Sequence, residues 1–272
     1  IFASMFTPRF ANQLRPMIKE RVKLLLDEWV PKGAFDFEEF ASNFPISNMF
    51  AMIGLPVDDV KLIRNNLETL GLALALDKSK LPQIDQAILD VEGFIKRAIA
   101  ARRVDPDAAE KEDILKILIE TADLGTVSER ELIDLLIFFF IAGYDTSKNV
   151  LTYTMWTLLD EPEIYERCAH DLDYCRKVVD EALRYFNPGS IARFAAQDIT
   201  YRDVVIPKDS MIFFALNTAG RDIDAFSDPD RFNPDRELGP DQRHVAFGLG
   251  KHICLGQHIA RAQLQEAIHQ IA

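Results

Sequence analysis

Apolar residues recur at intervals of three and four along most of this chain, with charged residues between them. This spacing is typical of helices that bury one face and expose the other. Glycine and proline mark several ends, such as Pro31 and Gly33 after the first pattern. The pattern predicts helices over residues 9–29, 35–53, 58–76, 83–103, 112–122, 174–185 and 257–272.

The longest predicted helix starts at Ser128. A hydroxyl at Ser128 and a carboxylate at Glu131 have the spacing of a capping box, in which each side chain satisfies a backbone N–H of the first turn. The apolar pattern then runs to Leu159, just before Pro162. At 1.5 Å per residue such a helix is about 48 Å long, enough to cross the whole domain.

The pattern changes to a two-residue period between residues 191 and 214, which predicts short β-strands. Residues 222–241 are rich in proline and aspartate and predict an irregular but ordered segment. No repeat or linker interrupts the chain. We therefore expect one domain over residues 1–272, mainly α with a small β region.

Charge and cysteine content narrow the function classes. A net charge of −12 argues against nucleic-acid binding, which needs a basic face. Three cysteines provide no disulfide framework, and Cys168 and Cys175, seven residues apart, are expected to pack on one helix in a reducing, cytoplasmic environment. Residues 132–143 are too short an apolar run for a bilayer. The chain begins with Ile1 and stops within a predicted helix, so both ends are expected to be missing.

One cysteine stands in an unusual frame, Phe247-Gly-Leu-Gly-Lys-His-Ile-Cys254-Leu-Gly, directly before the last predicted helix. Free N–H groups and the positive dipole end of that helix would favour a thiolate. The glycines Gly248, Gly250 and Gly256 would let the backbone lie against a flat ligand. A packing cysteine is the alternative, and a zinc site with His252 and His258 has no fourth ligand.

A second pattern, Ala142-Gly-Tyr-Asp-Thr146, lies in the middle of the long helix. Gly143 costs roughly 0.5–1 kcal/mol there relative to alanine, so the close approach of a flat ligand would justify it. The Thr146 hydroxyl, by bonding a carbonyl of its own helix, would open the backbone ladder and bend the helix. Without other evidence these residues are ordinary components of a buried helix.

The cysteine frame closely resembles the haem-binding loop of the cytochrome P450 family, and residues 142–146 resemble its oxygen-activation motif. The resemblance implies a P450-like fold with the long helix over haem b and the cysteine loop beneath it. Cys254 would be the axial iron ligand with Phe247 packed beside the sulfur. Thr146 would hydrogen-bond the bound dioxygen or hydroperoxide, Asp145 would relay protons, and Ala142 and Gly143 would leave room for oxygen.

The family also contains a Glu-x-x-Arg pair, matched here by Glu181 and Arg184. At that spacing such a pair is ordinarily a solvated surface salt bridge. The resemblance instead implies a buried pair joined by Arg236, which supports the cysteine loop. It also assigns Arg193 and His252 to the haem propionates, since two buried carboxylates need countercharges.

The same resemblance implies an apolar substrate pocket and an electron donor. Pocket positions would be Phe138, Ile141, Gly189 and Ile191, although all four are also suitable core residues. A ferredoxin or a flavodoxin-type domain would dock by complementary charge on three cations around the cysteine loop, for which a solvated basic rim is the alternative. These cations are Arg243, Lys251 and Arg261.

The sequence thus predicts a soluble, bacterial-type haem-thiolate monooxygenase. It would insert one oxygen atom from dioxygen into a small hydrophobic substrate, with electrons from NAD(P)H through a redox partner. No membrane or nucleic-acid partner is expected. A peroxide-using or isomerising haem-thiolate enzyme is one alternative, against which Asp145 and Thr146 argue. A non-catalytic remnant that binds haem or another ligand is the other.

Overall fold

The computed structural model describes residues 3–75, 77–239 and 242–272. Within these ranges the fold is mainly helical with a small β region, as predicted. The α-helices are α1 (Pro8–Trp29), α2 (Phe37–Ile53), α3 (Val60–Gly71), α4 (Leu81–Val104), α5 (Ile114–Asp123), α6 (Glu129–Leu159), α7 (Pro162–His170), α8 (Leu172–Phe186), α9 (Leu216–Ala219) and α10 (Gln257–Ile271). The strands are β1 (Ile191–Phe194), β2 (Ile199–Tyr201), β3 (Val204–Ile206) and β4 (Met211–Phe214).

Side-chain caps explain why several helices begin where they do. Thr7 accepts a hydrogen bond from the Phe10 N–H at the start of α1. At α6 the predicted capping box is confirmed, because the Ser128 N–H donates to Glu131 at 2.7 Å and the Glu131 N–H donates to Ser128 at 3.2 Å. The helix continues without interruption to Leu159, as predicted.

Two helix predictions need correction. The predicted helix over 58–76 is shorter, because α3 ends at Gly71 and 3₁₀ turns flank it over Val57–Asp59 and Leu72–Ala75; Leu76 lies outside the described residues. The helix α7 was not predicted. It ends at His170, since Asp171 is extended and caps α8 through the Tyr174 N–H. Cys168 and Cys175 therefore lie on two helices rather than one, both buried.

The strands form two antiparallel pairs. β1 pairs with β4, so that Arg193 lies opposite Ile212, and β2 pairs with β3. Most of their side chains are exposed, Phe194 at 71% and Phe213 at 60%. Strands are normally covered on at least one face. With this much of their surface exposed, these strands are not part of the buried core of the described residues. The irregular segment after α9 is as predicted, although Pro240 and Asp241 lie outside the described residues.

The core surrounds α6, which packs against α2, α3, α4, α8 and α10. Its buried side includes Phe140 and Tyr144, with exposures of 0% and 1%. Elsewhere in the fold α1 packs along α10, where Arg15 donates to Glu266 at 2.7 Å and to Gln265 at 2.5 Å. None of the helices in the described ranges has the length and apolar character needed to cross a membrane.

Candidate haem-thiolate site

The cysteine loop folds back on itself before α10 begins. The Cys254 N–H donates to the Phe247 carbonyl at 2.7 Å, which closes the loop. Gly248 and Gly250 have φ values of 69° and 71°, so the two predicted left-handed positions are present. Gly256, with φ of −79°, does not use that freedom and instead caps α10. The loop therefore needs two of its three glycines for conformation.

The backbone N–H groups of Gly256 and Gln257, at the start of α10, act to lower the pKa of the Cys254 thiol. Desolvation of the sulfur by the surrounding protein is the largest influence and raises the pKa of the thiol. It opposes the lowering effects of these N–H groups and of Arg261. The N–H groups therefore act in the predicted direction, but desolvation outweighs them and the pKa of the thiol is raised. A cation at the sulfur would supply the missing stabilisation.

The middle of α6 has one exposed side and one packed side. Phe138, Ile141, Ala142 and Thr146 are exposed and share one side, because they are three or four residues apart. The Thr146 hydroxyl donates to the Ala142 carbonyl at 2.8 Å, as expected. The helix nevertheless remains α-helical through this turn, so the expected opening of its backbone ladder is not observed.

Asp145 is half-buried beside that exposed side. Its carboxylate accepts a hydrogen bond from the Asn149 side chain at 3.2 Å. A Cβ placed on Gly71 would lie 3.6 Å from the Asp145 carboxyl carbon, so the carboxylate is next to the end of α3. The carboxylate of Asp145, the residue before Thr146, thus has one oxygen held by Asn149 and lies beside the end of α3.

Gly143 has a different neighbour from the one expected. A Cβ at this position would approach the Met49 sulfur of α2 to 2.8 Å, closer than real contacts allow. The glycine therefore permits α2 and α6 to pack closely, which is sufficient reason for its cost in the helix. The sequence could not distinguish this protein contact from the approach of a flat ligand, because both require the absence of a side chain.

Tyr144 anchors the packed side of α6 through a polar cluster that the sequence analysis missed. Its hydroxyl is 2.6 Å from the Ser42 hydroxyl and donates to Glu68 at 3.0 Å. Arg64 donates to Glu68 at 3.2 Å. Burial raises the pKa of Tyr144 to about 12, whereas these hydrogen bonds and Arg64 outweigh desolvation and lower the pKa of Glu68. The three helices α2, α3 and α6 are joined here.

The Glu181 side chain is buried with two arginines, as the family resemblance implied. Arg184 donates to both carboxylate oxygens of Glu181, at 2.7 and 2.8 Å, and Arg236 lies 3.4 Å from one of them. Arg184 also donates to the carbonyls of Gly220 and Pro229. These bonds tie α8 to the irregular segment that precedes the cysteine loop, so the pair is not a solvated surface salt bridge.

The predicted residues from the β region approach the cysteine loop. A Cβ placed on Gly248 would lie 3.5 Å from the Ile191 side chain. A Cβ placed on Gly189 would lie 3.6 Å from the Ala246 carbonyl oxygen. Arg193 and His252 are both exposed, and Arg193 donates only to its neighbouring Ala192 carbonyl, at 2.8 Å, among described residues. The structure thus brings Ile191 and Gly189 to the loop, while Arg193 and His252 keep their propionate role as a prediction.

The three loop cations differ in their surroundings. Arg243 and Lys251 are exposed, but Arg261 lies on the Phe247 ring and bonds Asp180 at 3.0 Å. Arg261 is therefore half-buried and paired with a carboxylate, unlike the two exposed cations. Asp180 was missed in the sequence because it stands beside Glu181, whose Glu-x-x-Arg spacing was the recognisable pattern.

The donor set of this region fits a flat iron cofactor better than a bare metal ion. Across the described residues, no three histidine, cysteine, aspartate or glutamate side chains come together, which does not support the zinc alternative. The exposed Cys254 stands between two exposed apolar residues in the chain, Ile253 at 45% and Leu255 at 43%. Apolar exposure of this extent around a thiol is what a large planar macrocycle would cover.

The fold and the thiol loop together define a haem-thiolate class of protein. The family model described as Cytochrome P450 matches residues 65–271, more than half of the chain. The chain belongs to the cytochrome P450 family.

Named relatives agree with this assignment. The chain is 30% identical to luteothin monooxygenase of Streptomyces thioluteus, over 98% of this chain and 65% of that protein. The solved structure of CxnD, described as a cytochrome P450 for C–S bond formation in chuangxinmycin biosynthesis, matches at a TM-score of 0.86 and 30% identity, over 98% of this chain and 64% of that one. The structure of P450BioI, solved with a ligated acyl carrier protein, matches at a TM-score of 0.88 and 27% identity, over 99% of this chain and 69% of that one. The chain thus spans about two-thirds of its relatives' length.

Proposed function

We propose that the full protein is a haem-thiolate monooxygenase. It inserts one oxygen atom from dioxygen into a small hydrophobic organic substrate and takes electrons from NAD(P)H through a ferredoxin or flavodoxin-type partner. The observation that carries this proposal is the Cys254 loop, which is closed by the bond from the Cys254 N–H to the Phe247 carbonyl and presents an exposed cysteine just before α10 begins. When bound, haem b supplies the redox-active iron and the site of oxygen activation.

The residues around the sulfur hold and orient it. The Gly256 and Gln257 N–H groups stabilise negative charge on Cys254, and the Phe247 carbonyl fixes the Cys254 backbone. Gly248 and Gly250 have no side chains to hold the loop backbone away from a flat group. Arg193 and His252, both exposed, would donate to the propionates.

On α6, Thr146 and Asp145 would manage protons. The Thr146 hydroxyl gives its hydrogen to the Ala142 carbonyl, so its oxygen lone pairs face outward and accept hydrogen bonds from a protonated ligand. Asp145 has one oxygen held by Asn149 and can take up or release a proton at its carboxylate. Phe138 and Ile141, exposed on the same side of the helix, would exclude water and contact an apolar substrate.

Two exposed cations beside the cysteine loop would form the docking surface for the electron donor. Arg243 and Lys251 flank the cysteine loop in a chain of net charge −12, so they form a local positive surface. An acidic donor would be attracted to this surface in a salt-dependent manner.

The test is the optical spectrum of the reduced carbon monoxide complex of the full-length protein. We expect the red-shifted Soret band of a thiolate-ligated haem, and Cys254→Ser should abolish it. Cys175→Ser is the matched control, because serine can replace the buried hydrogen bond that Cys175 donates to the Cys168 carbonyl. An unshifted band in the unmodified protein contradicts the proposal. Substrate-dependent NAD(P)H consumption with a ferredoxin then tests the oxygenase step.

A further inference from the structure

Behind the cysteine loop lies a polar cluster on α8, the loop and α10, formed by Asp180, His244 and Arg261. Arg261 donates through Nε to Asp180 at 3.0 Å, and the His244 Nε2 atom lies 3.5 Å from the same carboxylate oxygen. The carboxylate gains from both partners, which lower the pKa of Asp180 although desolvation raises it. We call this set the α8 clamp.

The tautomer of His244 follows from its neighbours. The Ala246 N–H is 3.3 Å from His244 Nδ1 and can only donate, so Nδ1 must carry a lone pair. In the neutral ring the proton is then on Nε2 and points to Asp180. Consequently Arg261 Nη2, 3.2 Å from Nε2, finds no acceptor there. The guanidinium is held by Asp180, by the face of Phe247 and by the Gln257 side chain, whose Oε1 accepts from Nη1 at 3.4 Å.

The clamp reaches the metal-ligating residue in two ways. Through His244, Asp180 holds the loop backbone at Ala246, next to Phe247. Through Arg261, it places a cation with its guanidinium carbon 4.5 Å from the centre of the Phe247 ring. The carbonyl of Phe247 in turn accepts the Cys254 N–H at 2.7 Å. Glu181, adjacent to Asp180, holds the preceding irregular segment, so α8 supports the loop with two neighbouring carboxylates.

We propose that Asp180 and Arg261 are positioning residues that set the reduction potential of the bound iron. Arg261 does so by holding a positive charge on the Phe247 ring, and Asp180 by fixing Arg261 there. This inference rests on the proposed haem-thiolate site. A cation near the thiolate stabilises the more negative, reduced state of the centre, so removing it lowers the potential.

The experiment is spectroelectrochemical titration of the haem-loaded full-length protein. Arg261→Gln should shift the midpoint potential to more negative values, and Arg261→Lys should shift it less, because lysine keeps the charge but loses the planar stacking. Arg243→Gln is the matched control: it removes the same charge near the cysteine loop, but Arg243 is exposed. A shift for Arg243→Gln as large as for Arg261→Gln would overturn the specific role of the clamp.

A double-mutant cycle isolates the positioning role of Asp180. Asp180→Asn should shift the potential by a different amount in the Arg261→Gln background than in the unmodified protein, because part of its effect acts through Arg261. Equal shifts in both backgrounds would show two independent charges and refute the inference. If the unmodified protein lacks the thiolate Soret band, the proposed function fails instead, so the two failures are distinguishable. Arg261→Lys keeps the test open if Arg261→Gln loses haem.

Discussion

The Glu181 cluster and the Thr146 side of α6 represent opposite kinds of site in one molecule. Glu181 and Arg184 are 6% and 2% exposed, and their charged groups bond within the chain. Thr146, Phe138 and Ile141 are exposed, and the only hydrogen bond of the Thr146 side chain among described residues is to its own helix. The first region is complete without a ligand, whereas the second presents its groups outward. In the proposed function, stability and chemistry are therefore carried by different residues.

The largest effect is expected from breaking the Glu181 cluster. Arg184→Ala leaves the buried Glu181 carboxylate without its bidentate partner and removes the donors to the Gly220 and Pro229 carbonyls. Removing one partner of a buried ion pair costs about 3–5 kcal/mol. Because Arg236 remains 3.4 Å from Glu181, we expect a loss near the lower end of that range in the free energy of unfolding, measured in urea. Arg243→Ala, at an exposed position, should change stability by less than about 0.5 kcal/mol. Comparable losses in both variants would contradict the comparison.

A smaller loss is expected where α6 meets α2. Gly143→Ala forces a methyl group against the sulfur end of the buried Met49 side chain. Overpacking costs about 1–3 kcal/mol, and both the flexibility of the methionine and a gain in helix propensity reduce that loss. Gly93→Ala is the matched control in α4, since its Cβ would meet only Arg97, at an ordinary 3.5 Å. That variant should gain about 0.5–1 kcal/mol. Thermal unfolding of the pair decides: if both are stabilised, Gly143 is not required for packing.

The polar cluster of Tyr144 should make stability depend on acid. The pKa of Glu68 is lowered from its ordinary value of 4.5, so its ionised form stabilises the fold at pH values above 4.5. This contribution is lost as the pH falls below 4.5 through the folded pKa. The free energy of unfolding is measured in urea between about pH 3 and pH 6. As the pH is lowered, it should fall more steeply for the unmodified protein than for Glu68→Gln. Parallel curves would exclude a role for the Glu68 charge.

The smallest effect on stability, and the largest on chemistry, is expected on the exposed side of α6. Thr146→Ala removes an exposed hydroxyl and should change the unfolding free energy by less than about 0.5 kcal/mol. In the full-length protein it should leave haem binding intact and divert reducing equivalents to peroxide. Thr157→Ala is the matched control, because Thr157 makes the same bond one turn back, to the Tyr153 carbonyl. Peroxide formed per NAD(P)H consumed is the measurement; unchanged coupling would remove the proposed role of the hydroxyl.

The sequence by itself determined most helices, the capping box of α6, the strand region and the family. These features depend on local periodicity and on a short motif, so no distant contact is needed to recognise them. The sequence also placed Glu181 with Arg184 and Arg236, but only through the family motif, since an i,i+3 ion pair is ordinarily solvated.

Only the tertiary structure decided what surrounds each motif residue. It showed that Gly143 makes room for Met49, that Tyr144 is anchored by Ser42 and Glu68, and that Arg261 is held by Asp180. It also showed that crowding raises the Cys254 pKa despite the helix N–H groups. These outcomes depend on side chains that are far apart in the chain, and on the balance of desolvation against hydrogen bonding, which packing alone fixes.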